Sequence, residues 1–442
     1  MIGQFPWEPF PPEEPEPKGP DPVPRGAYQA AVTAADAYRC VRAALRREEG
    51  VLRVGNRFVA DGRYRQVAFV ALGNAANSMA LGALHAIGDR LTQGYLAGPD
   101  PVPEEIPFRG EAVPLGLPGF RGAEGVVRAV TEIAEGLGPQ DLFLLLVSPG
   151  ALGAISVPPA GVSPEEFGHL FEAAGAAGAT GRELELLGRT LGEGGVGGRL
   201  GAACGRSDTA TFVIDRGDGP RSVGGGPVDP VLPAERDEAR SVLERVGLSP
   251  RLSPALAARL AGTTGEVVIP PSVARPVVVA APSDALRAAA DSTFDRGWTS
   301  RLGFLQMREP PELGAERFMA KAEELVAAEN LTSSSRTKGV AVLAMTTLGL
   351  PEGVDEGPAL AAFLTRAREL ARRREMSVTL ARTVGALGSS AFPPAAIFGP
   401  PTDSRTPVPV GRARGLPMHT GITDVGLLAL ALCALPGSTD PR

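Results

Sequence analysis

Three clusters of small and acidic residues could do chemistry. The first closes the stretch from Asp141 to Gly161, DLFLLLVSPGALGAISVPPAG, an apolar run that ends abruptly in small residues and prolines. Phe143 to Val147 has the length and unbroken hydrophobicity of a strand buried on both faces of a parallel sheet. Loops just past such strand ends bind ligands, because their backbone N–H groups face an anion, so Ser148 and Gly150 are candidates for a phosphate or nucleotide cradle. The second cluster lies in RQVAFVALGNAANSMALGALHAIGDRL, from Arg65 to Leu91. It reads as strand, tight turn at Gly73 and Asn74, then helix N-terminus, a geometry that receives phosphate or carboxylate. Gly73, Ala75 and Ala76 equally suit a helix packed closely on a sheet. The third follows the strand Thr209 to Ile214, which exits into DRGDGPRSVGGGPVDP. There Asp215 and Asp218 could act as a base or, for Asp215, hold Mg²⁺. Asp and Gly also dominate ordinary turns.

The elements that would position these clusters are those of an α/β protein. Residues 1–25 hold too many prolines for helix or ladder and read as an extended tail. A helix is expected from Ala27 to Glu49, another from Arg121 to Leu137, and another from Pro164 behind the Ser163 cap. The segment Gly188 to Leu200, GRTLGEGGVGGRL, is expected to cross near the cleft, and a helix from Ala234 stops at Gly247. From about Ser249 the pattern restarts, with VARPVVVAAPSDALRAAADSTFDRGW opening a second lobe. There Glu312 to Asn330 and Gly357 to Arg374 read as helices, and the final HTGITDVGLLALALCAL reads as an apolar helix. The expectation is two Rossmann-like three-layer lobes with mostly parallel sheets and a cleft between them. The tail would be 1–25, the first domain 26–248 with 417–442, and the second domain 249–416.

Composition narrows the function. The 442 residues exceed one ordinary core, and 43% hydrophobic with 21% charged residues is a globular balance. A net charge of −6 argues against a nucleic-acid face, which needs clustered Lys and Arg, and 5% aromatics leave little for base stacking. No apolar run approaches the roughly 18 residues of a membrane span, and the acidic, Pro-rich start is unlike a signal peptide, so a cytoplasmic location is expected. Three cysteines without C-x-x-C spacing and three histidines give neither a disulfide framework nor a zinc site. The partners expected are a small molecule or an active paralogue, with a homodimer allowed.

In order, the segments resemble the class II glycerate 2-kinases, the family with a MOFRL C-terminal region. Gly73, Ala75, Met79 and Ala80 are similar to the family's G-K-A-x-x-M-A turn, and RGEAVP (Arg109 to Pro114) to its G-H-P-V-P. DLFLLLVSPGALGAIS is similar to its D-L-V-L-x-L-x-S-G-G-G-S-A-L, and GGRL (Gly197 to Leu200) to its K-G-G-R-L. FVIDRGDGPRSVGGGPVDP is similar to S-D-V-x-G-D followed by A-S-G-P. GPPTD (Gly399 to Asp403) resembles G-P-T-D, and HTGITDVGLLAL the closing T-G-x-T-x-T-N-V-x-D-L. The resemblance implies two α/β lobes and phosphoryl transfer from Mg·ATP to D-glycerate. It places Glu111, Arg189, Gly226 and Pro227 in the substrate cleft, with Asn74, Asp215 and Asp218 at the catalytic positions.

The departures bear on activity. Asn74 stands where the family has lysine, Glu111 where it has histidine, and Val196 where a lysine precedes Gly197. Pro149 removes a backbone donor and Leu152 fills a polar position. Phosphoryl transfer is catalysed by positioning and charge, and losing one such cation can cost on the order of 10³ in rate. The expectation is a catalytically degenerate or diverged member that binds a ligand or partner. The alternative is an active kinase on glycerate or a similar hydroxy acid, which alone would use ATP and Mg²⁺.

Overall fold

The computed structural model describes residues 22–114, 117–217, 219–263, 267–295, 298–306, 311–332, 338–346, 362–363, 365–367, 369–370, 373, 377–381, 396–398, 408–409 and 427–434. Among them, Ala37 to Ala281 form one unit, and the residues up to Asp36 and from Pro282 onward form a second.

Helix α1 (Pro22–Ala34) belongs to the second unit, and α2 (Ala37–Ala44) opens the first. The single helix expected from Ala27 to Glu49 is thus broken in two and stops short. Leu45 instead starts an antiparallel meander of β1 (Leu45–Glu48), β2 (Val51–Val54) and β3 (Arg57–Ala60). Glu49 and Gly50 both take positive φ, 45° and 81°, the twist a two-residue hairpin turn demands.

The core of this unit is a six-stranded parallel sheet. Its strands are β4 (Val67–Leu72), β5 (Leu91–Gly98), β6 (Arg109–Ala112), β7 (Leu142–Val147), β10 (Asp208–Ile214) and β11 (Val277–Ala280). A separate two-stranded ribbon joins β8 (Ser156–Val157) to β9 (Glu193–Gly194). The sheet order is β11-β10-β7-β4-β5-β6, with every pairing parallel. Counted by first appearance in this sheet, that is 3-2-1-4-5-6 read from β6, the doubly wound Rossmann order, and the direction of winding reverses between β4 and β7. All residues of β4 and β7 are buried, as their unalternating apolar sequences require.

Helices α3 (Ala76–Ile87), α4 (Ala123–Glu135), α5 (Ala151–Ile155), α6 (Pro164–Ala176), α7 (Gly181–Leu191), α8 (Arg199–Ala203), α9 (Pro233–Arg245) and α10 (Pro254–Ala261) complete the unit. One core sets Val70, Leu72, Phe143, Leu145 and Val147 against Val126, Val130 and Ile133 of α4. A second, built from Phe167, Phe171, Leu187, Leu243 and Leu260, knits α6, α7, α9 and α10. Each large side chain so buried contributes roughly 1.5–3 kcal/mol. Thr180 opens α7 with a capping box to Glu183, and Ser163 caps α6 through the N–H of Glu166.

The second unit contains α11 (Pro282–Phe294), β12 (Trp298–Gln306), α12 (Pro311–Thr332), β13 (Lys338–Thr346), β14 (Ser377–Ala381), β15 (Ala396–Phe398), β16 (Val408–Pro409) and β17 (Leu427–Ala434). Helix α1 packs on α11. The sheet order is β12-β13-β17-β14-β15-β16; β12 and β13 are parallel, and the remaining pairings are antiparallel.

Two expectations change here. Leu427 to Ala434, expected as a helix of the first domain, is a strand of the second sheet, hydrogen-bonded on both sides to β13 and β14. Eight apolar residues in a row carry no period that separates the two states, and a central strand position decides between them. Val277 to Ala280, expected to open the second lobe, instead pairs with β10 and completes the first sheet. The first unit therefore extends past 248 to Ala281.

Candidate functional site

The register across the sheet brings three of the sequence clusters together. Leu72 pairs with Val147 and Val147 with Val213, so the residues that follow β4, β7 and β10 leave the sheet side by side. Gly73 and Asn74, Ser148 to Gly150, and Asp215 lie there, at the reversal between β4 and β7 and on the strand next to it. In open α/β sheets this is where ligands bind.

The first two loops are bonded to each other. The Ser148 hydroxyl donates to Leu72 O at 3.0 Å and accepts from Ala75 N–H at 2.9 Å, in a side chain with 0% exposure. The Gly73 N–H donates to Ala97 O at 3.0 Å and the Asn74 N–H to Pro149 O at 2.9 Å. Gly73 has φ +103°, and a Cβ there would stand 2.3 Å from Ser148 O. Gly150 has φ +87°, and its Cβ would stand 2.7 Å from the Asn74 Oδ1. Both glycines are therefore required by the close approach of one loop to the other.

Asp215 is 8% exposed. Its Oδ1 accepts from Gly217 N–H at 2.9 Å and Gly219 N–H at 3.0 Å, so the carboxylate shapes the turn after β10. Asp218 lies outside the described residues. Among the described residues no group of three or more His, Cys, Asp or Glu side chains is gathered to hold a metal ion.

Arg189 is not presented to a cleft. It is 2% exposed, donating from Nη1 to Arg221 O at 2.5 Å and from Nη2 to Asp229 O at 3.0 Å and Pro230 O at 2.7 Å. Glu235 stands 3.3 Å from its Nε, and burial pushes the guanidinium pKa down. A Cβ on Gly226, which has φ +59°, would stand 1.6 Å from Nη1. Arg189 thus staples the glycine segment that contains Gly226 and Pro227. That segment bonds in turn to the GGRL segment: Gly197 N–H to Gly225 O, Gly198 N–H to Gly226 O and Gly201 N–H to Pro227 O, each at 2.9 Å. A Cβ on Gly224 would touch Val147 and Ala151, which places the segment against the end of β7. Glu185, which the sequence did not single out, accepts from Gly225 N–H at 3.2 Å.

Glu111 stands apart from this group. It lies on β6, paired with Ala97, two strands from β4 and four from β10. At about 4.8 Å per strand that is roughly 10 Å from the Gly73 turn and roughly 19 Å from Asp215. Glu111 is exposed and faces the buried Tyr95; burial first, then the Glu111 charge, raises the Tyr95 phenol above its ordinary value. Lys321, one of the few lysines that could replace a lost cation, pairs with Glu324 at 2.7 Å on α12.

A wholly parallel sheet in this order, with a glycine turn and a helix at the winding reversal, defines a doubly wound α/β protein of the Rossmann type. Residues 24–261 match a family described as a domain of unknown function, DUF4147. The chain belongs to that family, which forms the N-terminal domain of the class II glycerate kinases. A glycerate kinase of Bos taurus is 28% identical over 194 residues, covering 40% of this chain and 37% of that protein. The chain therefore aligns with little more than a third of that relative's length. Among solved structures, the PH0495 protein from Pyrococcus horikoshii OT3 matches with a TM-score of 0.66 at 16% identity, covering 94% of this chain and 98% of that one. A glycerate kinase from Thermotoga maritima matches with a TM-score of 0.63 at 18% identity, covering 85% and 86%. At these identities the two structures establish the fold. No helix among the described residues is long and apolar enough to cross a membrane.

Proposed function

We propose that this protein uses a glycerate kinase scaffold for binding, at the winding reversal of the first sheet, and not for fast phosphoryl transfer. The observation that carries the reading is the bonding of the two loops. The Ser148 hydroxyl and the N–H groups of Gly73 and Asn74 all have protein partners, and Pro149 has no N–H to offer. A phosphate cradle needs such donors turned toward the ligand. Asn74 supplies no cation where the family has lysine, and Arg189 is engaged by backbone carbonyls.

Mg·ATP fits these residues poorly. Asp215 is the described carboxylate at the strand ends, and one of its oxygens already closes a turn. An uncharged or cationic small molecule, or an active relative, suits the site better than two anions. The remaining residues of the chain would correspond to the MOFRL region of the family, and a cytoplasmic location agrees with the composition.

The second reading is an active kinase on D-glycerate with Asp215 as base or magnesium ligand, favoured by the position of Asp215 just past the end of β10, the strand beside β7. One assay separates the two. Purified protein with Mg·ATP and D-glycerate is expected to form 2-phosphoglycerate far below the ~1 s⁻¹ ordinary for kinases, and millimolar ATP is expected to leave the melting temperature unchanged. Turnover near that rate would overturn the binding reading.

A further inference from the structure

The three-stranded sheet β1-β2-β3 has one buried face and one open face. Side chains alternate along a strand, so Leu45, Leu52 and Val54, each at most 2% exposed, line the inner face and their chain neighbours point outward. The register sets the outward residues in two rows that run across the strands. Arg46, Arg53 and Phe58 form the first row, and Glu48, Val51 and Ala60 the second.

The open face carries groups that are costly to leave in water or side by side. Phe58 is 70% exposed and Val51 40%. Arg46 and Arg53 stand directly opposite each other as like charges, an unfavourable cross-strand pair. Arg53 holds its guanidinium 5.8 Å from the Phe58 ring centroid and donates from Nε to Gly55 O at 3.0 Å. The Arg46 and Glu48 side chains, 58% and 72% exposed, are joined by a loose ion pair of 3.5 Å.

The two rows are complementary to one another. In a second copy turned over about an axis that runs across the strands between the rows, each strand lies over its own counterpart with the rows exchanged. Arg46 then meets the partner's Glu48, and Glu48 the partner's Arg46. Phe58, the largest apolar side chain of the face, meets the partner's Ala60, the smallest. Arg53 meets the partner's Val51, which packs against the apolar stem of the arginine. A twofold contact requires a patch that matches itself in this way.

We propose that the open face of β1-β2-β3 is a contact between two copies of this chain, forming a weak twofold dimer. At about 4.8 Å between strands and 3.4 Å per residue the face covers roughly 200 Å², against about 800 Å² per partner in a standard stable complex. Association is therefore expected on the order of 100 µM. The contact stands on different residues from those of the winding reversal and does not depend on the reading given to it.

The test is sedimentation equilibrium of the full chain from about 10 µM to about 500 µM, where the parent's weight-average mass is expected to climb from one chain toward two. Arg46→Glu and Glu48→Arg each set like charges against the partner, and each alone is expected to weaken association by about tenfold or more. Mixed in equal amounts the two variants are expected to associate again, because their reversed charges face each other with opposite sign. Phe58→Ala changes a side chain already in water and is expected to weaken association about as much. It carries the test should a charge reversal fail to give the parent's circular dichroism spectrum. Arg240→Glu and Asp237→Arg, at an exposed ion pair on α9, control for net charge and are expected to leave association as in the parent. The proposal is overturned if the parent stays monomeric, if a folded single reversal or Phe58→Ala associates as the parent does, or if the mixture of reversals does not associate.

Discussion

Gly73 and Asp141 fix the two ends of the same pair of strands, β4 and β7. At the exit, Gly73→Ala would force a left-handed residue to carry a Cβ against Ser148 O and Pro149 O. Strain and displacement together should cost roughly 2–5 kcal/mol, read as a lower urea midpoint. At the entry, Asp141 is fully buried, and burial alone would raise its pKa. Hydrogen bonds from Arg65, the Gly138 N–H and Gln66 outweigh that and hold the carboxyl down at about 2, against an ordinary 3.8. Because the folded value is depressed, this stabilisation is present above the ordinary value and is lost as pH falls from about 4 through about 2. Asp141→Asn is expected to lower stability at neutral pH by roughly 1–3 kcal/mol, with the gap to the parent closing toward pH 2. Acid titrations of the two proteins followed by circular dichroism would check it; a constant gap would refute it.

The strands, more than the loops, were legible in the chain. VAFVAL and LFLLLV are apolar at every position, and a strand buried on both faces admits no other pattern, so β4 and β7 could be placed from sequence. The chemistry of the loops could not, because direction is a tertiary property. Arg189 has the residue type of a ligand-binding cation, yet α7 points it inward onto three carbonyls. Glu111 lies in a motif beside the others by resemblance, yet the strand order sets it on the sheet edge. Gly226 and Pro227 were placed in the cleft by resemblance, but the guanidinium that makes Gly226 obligatory lies 37 residues earlier. From this follows a prediction about the segment as a whole. Arg189→Met should destabilise the protein by on the order of 3 kcal/mol and raise amide exchange from Arg221 to Pro230 ahead of the sheet. Protection of that segment equal to the parent's would show that Arg189 is not its staple.

For the whole molecule, the division at Asp36 and Ala281 differs from a simple cut into halves. Among the described residues the larger unit is one continuous stretch, Ala37 to Ala281, with its own sheet and two hydrophobic cores. Residues 37–281 produced alone are expected to melt in a single cooperative transition. Residues 282–442 alone lack α1, the helix that packs on α11, and are expected to melt cooperatively only when residues 1–36 are restored. Calorimetry of the three polypeptides checks this. A cooperative transition in the 282–442 fragment would show α1 to be dispensable.

The pairing of α1 with α11 also sets a schedule for the nascent polypeptide. Helix α1 leaves the ribosome well before its partner, because α11 begins at Pro282, about 250 residues later. At roughly 5–20 residues per second, α1 must wait some tens of seconds for its partner while the whole Rossmann unit is made and can fold between them. Its buried Ala27 and Ala31 are exposed to chaperones throughout that interval.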